Sequence, residues 1–86
     1  MSGEGGKYLQ NLINTMVEAL VDETDKVELI LNDAGHTIIL ELKVSDIDRG
    51  KVIGRHGRNA TAMRTIVNAA ATKIGRRVVF EIVNDR

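Results

Sequence analysis

The helical pattern that opens at Ser45 is broken once, at Gly54-Arg55-His56-Gly57, and resumes immediately afterwards. This part of the chain is therefore two helices joined by a tight loop, not one long helix. Glycine has no Cβ, so a Gly-x-x-Gly pair lets the backbone turn sharply and lie close to a phosphodiester. The helix that follows adds unpaired N–H groups and the positive end of its dipole, both suited to an anion. The loop lacks the Gly-Lys-Ser/Thr ending of a nucleoside triphosphatase loop and the third glycine of a dinucleotide loop. An isolated Gly-x-x-Gly is as easily a plain interhelical turn. Here its two central residues are basic and polar, and basic residues crowd around it.

The rest of the chain supplies elements on both sides of that loop. Residues 1–6 are glycine-rich and read as a disordered tail, leaving one domain over residues 7–86. Leu9, Leu12, Ile13, Met16, Val17, Leu20 and Val21 form the stripe of an amphipathic helix that ends in Asp22-Glu23-Thr24-Asp25. Residues 27–31 and 37–44 are rich in aliphatic and β-branched residues and read as strands, with Asn32-Asp33-Ala34-Gly35 as the hairpin turn. Ser45 is the expected cap of the next helix, with Asp46 and Asp48 in its first turn. After the glycine loop, Ala60, Met63, Ile66, Val67, Ala70, Ala71 and Ile74 recur at helical spacing up to Gly75, a natural terminator. Residues 78–83 alternate as a last strand. A three-stranded sheet covered on one face by helices buries every one of these stripes, which is an α+β architecture. Ile30, Ile39, Val79 and Val83 fall on the opposite sheet face, where clustered aliphatics can mark a partner surface.

Charge sharpens the picture. The 86 residues carry 12 basic and 12 acidic side chains, yet these are segregated. Residues 1–48 hold three bases against ten acids, and residues 49–86 hold nine bases against two acids. The resulting dipole places positive potential around the loop, where Arg49, Lys51, Arg55 and Arg58 lie close together in sequence. The chain has no cysteine and no apolar run near the roughly 20 residues that span a bilayer, and no signal-peptide pattern opens it; the cytoplasm is the expected compartment.

Catalysis and metal binding find little support. His56 has no nucleophile or orienting acid near it in sequence, and neither His56 nor His36 lies in zinc-ligand spacing. No cofactor is expected. With Tyr8 and Phe80 as the only aromatics, stacking platforms of the RRM or oligonucleotide-barrel kind are disfavoured.

The segment Gly50-Lys51-Val52-Ile53-Gly54-Arg55-His56-Gly57-Arg58, with Arg64-Thr65-Ile66-Val67 and Ala69-Ala70-Ala71-Thr72-Lys73 after it, resembles the KhpA (YlqC-like) family of small bacterial stand-alone KH proteins. The element order resembles the type II KH arrangement, α-β-β-α-α-β. In KH domains a Gly-x-x-Gly loop clamps the backbone of single-stranded nucleic acid. The resemblance implies a cytoplasmic single-stranded RNA binder acting as an RNA chaperone or post-transcriptional regulator. It also implies a homodimer, and a heterodimer with a larger KhpB/Jag-type KH protein. Asn59 and Met63 depart from the pattern, standing where relatives commonly carry an aliphatic residue and isoleucine.

The expected RNA site is Gly54 and Gly57 for backbone approach, Arg55 and His56 for phosphate, and Arg49, Lys51, Arg58 and Arg64 for the surrounding field. Ile53 is a candidate groove residue, with Ala60 at the groove floor and Met63 in the core. The competing reading is a protein-interaction subunit, in which the loop region mediates homo- or heterodimerisation and RNA binding is secondary.

Overall fold

The computed structural model describes residues 2–83; residue 1 and residues 84–86, the last of the expected domain, lie outside them. The elements are α1 (Ser2–Glu18), β1 (Glu28–Ala34), β2 (Thr37–Lys43), α2 (Asp46–Ile53), α3 (Arg58–Lys73) and β3 (Arg77–Ile82), with 3-10 turns at Thr24–Lys26 and Arg55–Gly57. The order α-β-β-α-α-β and the α+β class are those expected.

The sheet runs β1-β2-β3. β1 and β2 pair antiparallel, with Leu29 opposite Leu42 and Leu31 opposite Leu40. β2 and β3 pair parallel, with Ile38 beside Val78 and Leu40 beside Phe80. Alternation thus sends one aliphatic set from all three strands to the same face, as the sequence pattern requires. On it pack Leu9, Ile13 and Val17 of α1, Val52 of α2, and Met63, Val67 and Ala71 of α3, forming one core with Ile38, Leu40, Leu42 and Phe80.

Parallel pairing of consecutive strands demands a crossover, because a hairpin cannot return the chain in the same direction. Here α2, the glycine loop and α3 together are that crossover. α3 then runs back along β3, and Arg64 Nε donates to the Phe80 carbonyl at 3.2 Å. The loop therefore lies toward the carboxyl ends of β2 and β3, at one end of the helix layer.

Four details differ from expectation. The glycine-rich opening is helical from Ser2, not a tail. Its glycines allow close approach to the body: a Cβ on Gly6 would lie 3.0 Å from Leu31 Cδ1, and one on Gly5 would lie 3.0 Å from Arg76 Nη1. α1 ends at Glu18, three residues before its apolar stripe does, while Leu20 and Val21 pack on the core from the following turn. The hairpin turns at Gly35-His36, since Ala34 pairs with Thr37 and β1 takes in Asn32, Asp33 and Ala34 of the expected turn. Asp33 is held in that strand by an ion pair with Arg76. Finally, Ile66 and Ile74 are exposed, because the stripe that meets the core is Ala60, Met63, Val67 and Ala71.

Candidate nucleic-acid interface

The site is built on the anchoring of α2. Ser45 caps the helix, its Oγ accepting the Asp48 N–H at 3.2 Å. Asp48 is wholly inaccessible to solvent. Its carboxylate accepts the N–H groups of Glu23 (2.8 Å) and Asp22 (3.1 Å), and the Ser45 hydroxyl at 3.3 Å. These donors stabilise the ionised form, so the Asp48 pKa lies below the usual carboxylate value, first through the Glu23 N–H and then that of Asp22, against the opposing effect of burial. Lys51 completes the cluster, ion-paired with Asp22 and 3.5 Å from Asp48; its hydrogen bond to Asp22 raises its pKa. The charge of Lys51, expected to face RNA, is thus engaged by two carboxylates.

At the far end of α2 the backbone enters an unusual path. Gly54 has φ 77° and ψ 169°, a region essentially confined to glycine. His56 has φ 58° and ψ 26°, and Gly57 has φ 73° and ψ 15°, both left-handed. The Gly54 N–H donates to the Gly50 carbonyl at 2.8 Å, and the Gly57 N–H to the Gly54 carbonyl at 3.0 Å. The two glycines serve different ends. A Cβ on Gly54 would lie 2.7 Å from Asn59 Cγ and 2.9 Å from Asn59 N, so glycine is demanded there by the protein itself. A Cβ on Gly57 would meet nothing within 4 Å, and the missing methyl leaves room on the open side of the loop.

Gly57 is also the residue preceding α3, and no side chain caps that helix. The Arg58 N–H donates to the Arg55 carbonyl, and the N–H groups after it and the helix dipole point into the loop region with no side-chain cap. Arg55, His56 and Arg58 surround this point and are exposed, and among the described residues none of them forms an ion pair.

The structure thus gathers Gly54, Arg55, His56, Gly57 and Arg58 into one turn. Ile53 is half-buried at the end of α2, and Arg49 is half-buried on the same helix with its Nε inaccessible. Arg64 lies along α3, held to the Phe80 carbonyl on the edge strand β3. Ala60 and Met63 are buried, at 5% and 3% exposure. Sequence reading missed the Asp48 cluster, which joins segments far apart in the chain, and noted Asn59 only as a departure. Among the described residues no group of three or more His, Cys, Asp or Glu side chains is placed to hold a metal, and no helix is long and apolar enough to cross a membrane.

The KhpA/KhpB KH-domain profile matches residues 10–82. The chain belongs to that family. Among similar proteins, the RNA-binding protein KhpA of Clostridium acetobutylicum is 47% identical over 75 residues, covering 87% of this chain and 100% of the relative. The RNA-binding protein KhpA of Caldanaerobacter subterraneus is 50% identical over 72 residues, covering 84% and 96%. That of Bacillus subtilis is 42% identical over 76 residues, covering 88% and 94%. These bacterial KhpA relatives are named for RNA binding, and the family is one of binding modules, not enzymes. No solved structure matches the chain significantly.

Proposed function

We propose that this protein is a non-catalytic, single-stranded RNA-binding protein that grips the RNA backbone at the Gly54-Arg55-His56-Gly57 loop. The observation that carries the reading is the uncapped start of α3 behind a left-handed Gly57, with open space where its Cβ would be. A phosphate seated there accepts backbone N–H groups and meets the helix dipole, while Arg55 and Arg58 supply charge and His56 a further donor. Ile53 borders the bases, and Arg64, on the β3 side of the groove, reaches the outgoing strand. Arg49 contributes to the field. Lys51 acts by holding α2 to Asp22 and Asp48 rather than by touching phosphate. The names of the KhpA relatives point to the same ligand. Such a grip is sequence-tolerant, as suits an RNA chaperone or post-transcriptional regulator in the cytoplasm.

The test is titration of a fluorescent octauridylate with wild type and with Arg55→Asp/His56→Asp. Aspartate tolerates the left-handed backbone at position 56, so the fold survives. Binding falls by more than about tenfold through repulsion of phosphate. Undiminished affinity in the folded double variant removes the loop from the site.

A second reading concerns assembly. Met16, Ala19 and Leu20 after and within the end of α1, with Ala62, Met63 and Ile66 of α3, line an apolar hollow beside Asn59. Ile66 is 48% exposed at its rim. This face suits pairing with a second copy, or with a larger KhpB/Jag-type KH protein, on the flank of the loop. The open sheet face suits a symmetric pair less well, because Glu41 and Glu81 sit side by side there and a second copy brings two more.

A further inference from the structure

We infer that Asn59 is a positioning residue, which closes the end of α2 onto the first turn of α3 and so sets the shape of the loop that meets RNA. Its Nδ2 donates to the Lys51 carbonyl at 2.8 Å. Lys51 lies in the last turn of α2, where carbonyls have no partner within the helix, so a side chain from the next helix caps this one. The same residue lines the path of Gly54: its Cγ and backbone N are the nearest atoms to the place where a Cβ would stand. Gly54 is thereby seated against Asn59.

Both ends of this clasp are themselves anchored. Lys51 is tied through its ammonium to Asp22 and to the buried Asp48, and the Asp48 carboxylate holds the backbone of Asp22 and Glu23. Asn59 lies beside Ala60, on the buried face of α3. Val52 is itself fixed in the core, so between these points only residues 53–58 are left to adjust, and the Gly54 and Gly57 N–H bonds constrain them further. A loop held in its binding shape loses less conformational entropy when RNA arrives, so affinity rises without any contact from Asn59 to the ligand. An aliphatic residue at this position fills similar space and provides no donor, leaving the Lys51 carbonyl without its cap.

This inference rests on the RNA-binding reading, and its test separates the two. Asn59→Leu and Asn59→Ala each remove the donor without adding charge, so neither repels RNA directly; the pair guards against one failing to fold. Amide hydrogen exchange at Gly54 and Gly57 is measured without RNA, and octauridylate affinity is measured as a function of salt. Both variants should exchange these two amides about 3- to 10-fold faster and bind octauridylate weaker by a similar factor. The far-UV spectrum and the salt slope should match wild type, since no phosphate contact is lost. Unchanged exchange in both folded variants overturns the inference, and so does faster exchange with unaltered affinity. Weaker binding with unchanged exchange also overturns it, by making Asn59 a contact. If wild type fails to bind octauridylate, the RNA reading falls, while exchange at Gly54 and Gly57 still decides whether Asn59 holds the loop.

Discussion

Asp48 accepts the backbone N–H of Glu23 at 2.8 Å, joining the segment after α1 to the first turn of α2 across 25 positions of sequence. The loop's base is therefore pinned by a carboxylate that must stay ionised.

That requirement has a sign. The folded-state pKa of Asp48 is lowered from its ordinary 3.8, so its contribution is fully present above that value and is lost as pH falls through the lower folded one. Asp48→Asn should melt below wild type at pH 7, and the gap should narrow as both are acidified below about pH 4. Thermal melts by circular dichroism from pH 7 to pH 2.5 check this. A gap that stays constant with pH would show that the ionised form is not what matters.

The two loop glycines should respond differently to alanine. Gly54→Ala meets both a forbidden backbone region and the Asn59 side chain, and should cost about 2–3 kcal/mol or more. Gly57→Ala adds only the left-handed penalty, about 1–2 kcal/mol. Its methyl, pointing into open space, should instead weaken RNA binding beyond what the stability loss accounts for. Urea unfolding and octauridylate titration of the same two variants give both numbers.

A loop that grips about four nucleotides neutralises few phosphates. The log–log dependence of octauridylate affinity on salt should have a slope of roughly −1.5 to −3 per domain. Lys51 is already paired with acids, so Lys51→Met should alter that slope less than Arg55→Met does. Duplex RNA of equal length should compete poorly in the same assay.

Ile66 tests the assembly reading. Ile66→Lys should stay folded, because that side chain is 48% exposed, and it should run as a monomer by light scattering. Ile39→Lys/Val79→Lys on the open sheet face should leave the mass of wild type unchanged. Wild type that is monomeric at high concentration ends the pairing reading, and a sheet-face monomer moves the contact to that face.

Much of this molecule is legible in one dimension. The stripes of α1 and α3 and the alternation of the three strands are local periodicities, and most of their residues enter the core that Leu9, Ile13, Leu40, Val67 and Phe80 build, while Ile66 and Ile74 of the α3 stripe stay exposed. Ser45 and the glycine pair are local too: a cap and a positive φ are properties of a few consecutive residues. Hence the start of α2, the glycine loop and the KH resemblance are all readable from the chain. What periodicity cannot carry is contact between distant segments. Residues 1–6 look like a tail until Leu31 and Arg76 are seen against Gly6 and Gly5. Lys51 looks like a free cation until Asp22, 29 positions away, is found beside it. The chain by itself determined the order of the elements, the glycine turn between α2 and α3, and where basic residues crowd in sequence, because backbone sterics and hydrophobic period act over neighbours. Only the tertiary structure decided that Gly54 answers to Asn59 while Gly57 faces open space, since that division depends on which atoms the folded crossover brings within 3 Å of where a Cβ would stand on one glycine and keeps more than 4 Å from that place on the other.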